Sequence, residues 1–386
     1  MADMVKSDEP QTRSMMRKLL PVSGVILTLF LLLSAAGCQT DRTGRIVFLG
    51  PREGRYGNYI YSMNPDGSDR VKLTFWAHSS MPFHNVWSAG GKTLAYIDSD
   101  NETERRWLSV VDGNGQNRRR LLDITDLKMN SMALSPDGRT VVLSLDSTRL
   151  IKKPQGGTVH VEVAEDTDLF TVDVKTRKLN RLTDTPDVVE TLPSYSPDGK
   201  QVSFVGKDAD EIRSDIPDIY VMDADGGNRR RLVRHLEGEG FYQPELLWSP
   251  DSSKIIFIRY NLSISDSEHY TDIFVIDVKA GVLTNLTDSP YIFDGESSWS
   301  PDSRKIAFYS GNVTEGYHTL IKDIGSGNLT RLDQGVSSWT PDGKGLIFVN
   351  PLNVFELMIV DADGINPRTL AVSKDIRISM PFWLSE

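Results

Sequence analysis

The sequence predicts an all-β fold: a single β-propeller of seven four-stranded blades, with six as the alternative. Three observations carry this expectation. The stretch Trp248-Ser249-Pro250-Asp251-Ser252-Ser253-Lys254 returns as Trp299-Ser300-Pro301-Asp302-Ser303-Arg304 and as Trp339-Thr340-Pro341-Asp342-Gly343-Lys344. Looser copies begin at Tyr195, Leu134 and Trp87, and a shortened one begins at Trp383, so the copies lie 40 to 61 residues apart. A period near that length marks an array or a propeller. Finally, 30 Gly, 19 Pro and short apolar runs favour many strands joined by tight turns.

The repeat has a local mechanism. Proline presets φ at the second position of a type I turn, and glycine suits the fourth. Ser-Pro-Asp-Gly therefore closes a hairpin. The aromatic residue before it ends strand A, and the apolar run after it is strand B. B strands are expected at 45–49, 93–97, 140–145, 201–205, 254–259, 305–309 and 345–349. C strands follow the pattern of Asp218-Ile219-Tyr220-Val221-Met222-Asp223, and a second turn (Ala224-Asp225-Gly226-Gly227) leads to short D strands such as Arg229–Val233. The propeller would start on a B strand and end on an A strand. The residues 380–384 should then complete the first blade beside 46–48, which leaves only short outer edges. Residues 147–167 read as an extra hairpin on the third unit, with Pro154-Gln155-Gly156-Gly157 as its turn.

Residues 1–38 read as a lipoprotein signal peptide, 39–44 as a linker and 45–386 as the propeller. Arg17-Lys18, an almost wholly apolar stretch and Ser34-Ala35-Ala36-Gly37 precede Cys38, the one cysteine of the chain. This ending resembles the lipobox of bacterial lipoproteins, which implies acylation of Cys38 and a membrane anchor. Gln39 lacks the aspartate of inner-membrane retention and points to the outer membrane. A lone cysteine excludes an internal disulfide and a Cys-based zinc site. A formal charge of −10 argues against nucleic acid as partner.

The unit formed by Tyr220-Val221-Met222-Asp223-Ala224-Asp225-Gly226-Gly227-Asn228-Arg229-Arg230-Arg231-Leu232 and Trp248–Phe257 resembles the TolB-type β-propeller repeat. The resemblance covers roughly 45–386. It implies a periplasmic, non-enzymatic envelope protein. TolB itself carries an α/β domain before a six-bladed propeller. The stretch from Cys38 to Arg45 leaves no room for that domain, and the repeats here number seven. Similar propellers accompany prolyl-oligopeptidase-type peptidases and form oligogalacturonate lyases.

The chemistry is sparse. A serine hydrolase needs Gly-x-Ser-x-Gly, which does not occur. The six histidines, among them His84, are scattered without metal-ligand spacing. Asp223-Ala-Asp225-Gly226 and Asp361-Ala-Asp363-Gly364 lack the calcium-loop glycine position and read as hairpin turns. Arg118–Arg120 and Arg229–Arg231 read as charged outer edges, and the strand-end tryptophans as core between blades. No catalytic residue, metal or cofactor is expected. One asymmetry remains: the B-to-C and D-to-A loops collect acidic and aromatic residues on one face. The candidate binding face comprises Glu190, Asp208, Asp210, Glu237, Glu239, Tyr242, Asp294, Glu296 and His84. It suits an envelope protein or a basic peptide. The alternatives are a polysaccharide-binding or lyase-type propeller, or a stand-alone relative of the peptidase propellers.

Overall fold

The computed structural model describes residues 44–51, 58–74, 87–88, 91–100, 103–146, 167–185, 188–208, 218–234, 239–241, 246–261, 270–289, 292–312, 314, 316–332, 335, 338–373 and 376–384. All lie in the compact unit Asp41–Glu386. Cys38 and the expected signal sequence, and most of the expected 147–167 hairpin, fall outside the described residues.

The described strands form consecutive antiparallel units in the expected A-B-C-D order, and among the described residues every regular element is a strand. Unit 4 is typical: Val188–Tyr195, Gln201–Asp208, Asp218–Asp223 and Arg230–Val233 pair in sequence order. Unit 6 repeats it with Phe293–Trp299, Lys305–Asn312, Gly316–Asp323 and Leu329–Leu332. In unit 2 the described part of strand A is a single bridge from Trp87 to Leu94. The C-terminal strand Ser379–Leu384 pairs with Arg45–Pro51, with Ile46 opposite Trp383 and Val47 opposite Phe382. The last strand thus completes the first unit, as the repeat phase requires.

The sheets are covered on both faces, so their central strands are mostly apolar. Ile256, Ile258, Ile273 and Val275 of unit 5 meet Trp299, Ile306 and Phe308 of unit 6. The opposite face of unit 6, with Ala307 and Ile321, meets Trp339, Leu346 and Phe348 of unit 7. The far face of unit 7 closes on Ile46, Phe48 and Trp383 of unit 1. Outer strands such as Arg119–Asp123 are short and half exposed, which blunts the sheet edges.

The serine of the turn motif explains why the motif recurs. In unit 5 the Ser249 hydroxyl donates to Asp251 Oδ1 at 2.6 Å and accepts the Lys254 N–H at 2.9 Å, while Ser252 N–H donates to Ser249 O at 2.8 Å. Ser135, Ser196, Ser300 and Thr340 repeat the pair of side-chain bonds. Position four has positive φ in every such turn. Gly138, Gly199 and Gly343 adopt it freely, while Ser252 and Ser303 hold it at 61° and 62°. The two serines compensate by accepting N–H bonds from neighbouring turns: Asp198 to Ser252 at 3.1 Å and Asp251 to Ser303 at 3.0 Å.

These turns titrate. Partial burial alone would raise Asp198 and Asp251, but the hydroxyls of Ser196 and Ser249 and the following backbone N–H groups outweigh it and hold both below the ordinary carboxylate range. At Asp302 the Ser300 hydroxyl is the largest influence, in the same direction. A depressed folded-state pKa contributes stability above the unfolded value, about pH 4, that is lost as pH falls through the folded value. Replacing Asp198, Asp251 and Asp302 together with Asn should flatten the acid limb of stability. Urea midpoints of parent and variant measured between about pH 3 and about pH 6 should converge toward the acid end.

Candidate binding site

The strand-A aromatics gather at the end of the units that carries the A-to-B turns. Trp248, Trp299 and Trp339 with Pro250, Pro301 and Pro341 border an opening of about 430 Å³. The tryptophans are buried, as expected for core residues, and they bind each unit to the one before. Trp248 Nε1 donates to Ser194 O at 3.2 Å and Ser203 Oγ at 2.9 Å; Trp299 Nε1 donates to Leu247 O at 3.0 Å; Trp339 Nε1 donates to Ser298 O at 3.2 Å. Each accepting carbonyl lies one residue before the preceding unit's aromatic.

At the opposite end, the structure corrects two members of the expected acidic face. Glu190 and Asp294 are wholly buried. The reason is a bulge in strand A. Register slips between Thr191 and Ser194, and again between Gly295 and Ser298, with positive φ at Leu192 and Glu296. The acidic side chain ahead of each bulge turns into the seam between two units.

Glu190 is well compensated there. Thr183 Oγ1 donates to its Oε2, Thr185 Oγ1 to its Oε1 at 2.8 Å, and Arg229 Nη1 lies 2.7 Å from Oε1. Burial still raises the Glu190 carboxyl above its usual range, against those hydroxyls and the arginine. Arg229 also lies over the Phe204 and Tyr220 rings at 5.3 and 4.8 Å. The arginine triplets thus do more than decorate an edge. Arg230 donates to Val278 O and Arg118 to Leu73 O, each in an adjacent unit, and Arg231 pairs with Asp218 at 2.9 Å. Among the described residues Asp294 has no such cation. Burial first, and then the like charge of Asp272, push it up to about 6, although the hydroxyls of Ser310, Thr287 and Ser289 oppose the rise.

Glu296 is exposed, beside a stacked pair of tyrosines: Tyr309 and Tyr317 have ring centroids 5.1 Å apart, and Tyr317 is 46% exposed. Burial and then Glu296 raise the Tyr309 hydroxyl pKa. Asp208 ends strand Gln201–Asp208, and Glu239 opens Glu239–Phe241. Asp210, Glu237, Tyr242 and His84 lie outside the described residues. Asp225 and Asp223 cap their own turn, accepting Gly227 N–H at 2.9 Å and Asn228 Nδ2 at 2.6 Å.

Repeat, ring closure and turn chemistry define a TolB-like β-propeller fold. No family model matches the chain. Over 308 residues it is 25% identical to the Tol-Pal system protein TolB of Francisella tularensis, an alignment covering 75% of this chain and 63% of that protein. The chain therefore spans less than two thirds of that relative's length. Among solved structures it resembles the β-propeller domain of the Trilobed protease from Pyrococcus furiosus (TM-score 0.57, 14% identity, 86% of this chain and 96% of that one). It also resembles an oligogalacturonate lyase from Vibrio parahaemolyticus (TM-score 0.54, 18% identity, 84% of each chain). The Pyrococcus propeller is described as having an open velcro topology, whereas here the terminal strands pair.

Arg229→Met should destabilise by about 3–5 kcal/mol, because it strands a buried carboxylate. Glu190→Gln should cost less, about 1–3 kcal/mol, because the Arg229 side chain is 24% exposed and reaches water. Chemical denaturation of both single variants checks the order of the two.

Proposed function

We propose that the chain is a non-enzymatic envelope protein, held to the membrane through acylated Cys38, whose propeller binds a protein or peptide partner on its acidic loop face. The observation that carries this reading is Glu296. A bulge with positive φ lifts its carboxylate out of the innermost strand, beside the exposed Tyr309–Tyr317 stack. An unscreened acid next to aromatic faces suits a basic or proline-containing segment of a partner. Asp208, Asp210, Glu237, Glu239, Tyr242 and His84 complete the face, while Glu190 and Asp294 serve beneath it. The sequence similarity to TolB, whose name places it in the Tol-Pal system, supports an envelope setting and a protein partner. Likeness to the lyase rests on the fold, which many chemistries share.

The test is affinity capture from native envelope, with the mature protein beside a variant carrying Asp208→Ser, Asp210→Ser, Glu237→Ser and Glu296→Ser. A protein retained by the parent and lost by the variant is the expected result, and retention should weaken between about 50 and 300 mM salt. Equal retention by both would place the partner elsewhere. Co-purifying uronate oligosaccharides, with no retained protein, would overturn the reading in favour of the polysaccharide alternative.

A further inference from the structure

Two seams of the ring are built alike, and among the described residues only one of them pairs its acids with cations. Aligning Tyr195 with Trp299 places Glu190 on Asp294, Thr183 on Thr287, Thr185 on Ser289 and Asp168 on Asp272. The structure bears out the alignment. Both inner strands bulge at the same step, and each seam has one parallel bridge, Val189 to Thr167 in one and Phe293 to Thr271 in the other. Thr183 Oγ1 accepts Leu169 N–H at 2.9 Å, as Thr287 Oγ1 accepts Ile273 N–H at 3.0 Å.

The charges differ. In the first seam Arg181 Nη2 lies 2.5 Å from Asp168, and Arg229 Nη1 lies 2.7 Å from Glu190. In the second, Asn285 replaces Arg181, donating to Asp272 Oδ2 at 3.1 Å. Strand register puts Leu329 at the position of Arg229. Lys322, opposite Leu329, donates to Leu286 O at 2.5 Å. Arg259, opposite Asp272, lies over the Phe257 and Phe274 rings. His318 lies across Ser310 from Asp294 in the same row of strand pairs. Among the described residues neither Asp272 nor Asp294 forms an ion pair.

Asp294 is wholly buried, and among the described residues neither carboxylate oxygen accepts a close hydrogen bond. Two of the three hydroxyl protons near it are committed elsewhere: Thr287 Oγ1 donates to Asp272 Oδ1 at 3.1 Å, and Ser289 Oγ to Thr287 O at 3.1 Å. A buried carboxylate is therefore left, among the described residues, without a close donor on either oxygen, and is flanked by the hydroxyl oxygens of Thr287, Ser289 and Ser310. We propose that this seam binds a hard, oxygen-preferring divalent cation of the calcium class, held by Asp294 with the hydroxyl oxygens of Thr287, Ser289 and Ser310 and supported by Asp272. Carboxylate and hydroxyl oxygens select hard cations over soft ones. Calcium tolerates irregular geometry and completes its shell with water, whereas magnesium demands a near-ideal octahedron. Half-exposed Thr287 and Ser289 give access from the surface. The cation would take the role that two guanidinium groups fill in the sister seam.

The experiment uses the full mature chain, stripped with a chelator, and follows its unfolding temperature on adding Ca²⁺, Mg²⁺ or Na⁺ at matched ionic strength. Saturating Ca²⁺ should raise Tm by about 3 °C or more. Mg²⁺ and Na⁺ should do less. Asp294→Asn should abolish the calcium shift. Leu329→Arg should raise Tm of the stripped protein and also abolish the shift, because a guanidinium then occupies the site. No calcium shift in the parent overturns the proposal, as does a shift that persists in folded Leu329→Arg. That second variant decides the matter even if Asp294→Asn fails to fold. No partner enters the readout, so this result is separable from that of the capture experiment.

Discussion

The architecture depends on one hydroxyl in each repeat that keeps the full turn motif. Ser135, Ser196, Ser249, Ser300 and Thr340 each donate to the aspartate two residues on and accept the N–H that opens the next strand. The turn fixes where strand A ends, and hence where its aromatic residue points. The indole N–H of Trp248, Trp299 and Trp339 then finds the carbonyl that precedes the neighbouring aromatic. A buried indole N–H left without a partner costs free energy comparable to a lost hydrogen bond. Turn geometry therefore sets the rotation from one unit to the next, and a local motif becomes a ring.

Much of this was legible in the sequence because the period survives in it. Apolar runs such as Ile255-Ile256-Phe257-Ile258 announce strands buried on both faces, and a start on strand B with an end on strand A announces the closure that Ile46 and Trp383 make. The serine's role is legible too, in the constant spacing from its hydroxyl to the N–H that opens strand B. Glu190 and Asp294 were misplaced for a physical reason. They sit in acidic stretches that read as loop, and only the bulge at Leu192 and Glu296 turns them inward. No local sequence signal marks that bulge. Arg229 reads as an edge charge in the sequence because its triplet borders an outer strand. Its reach to Glu190 depends on Phe204 and Tyr220 carrying the guanidinium inward, a contact between residues far apart in sequence.

The seams explain why acids are tolerated beneath the loop face at all. A buried carboxylate is costly unless paired and hydrogen-bonded. The seam around Glu190 meets that requirement with two hydroxyls and an arginine, and Asp168 is answered by Arg181. Such an arrangement gives limited net stability, because desolvation offsets most of the attraction. Its effect is directional: Arg229 leads into the outer strand of one unit, Thr183 and Thr185 follow the outer strand of the preceding one, and Glu190 lies on the innermost strand that comes between them in the chain. Three strands are held in one register at the rim.

Rigidity at the rim bears on binding. A face that presents Glu296 and the Tyr309–Tyr317 stack gains affinity only if those groups are held before the partner arrives, since ordering them afterwards opposes association. The same bulge that buries Asp294 exposes Glu296 two residues later, so the two positions are mechanically coupled. Fixing the carboxylate below the surface fixes the one above it. The buried acids, first read as part of the binding surface, act on it from beneath by holding the strand that carries it.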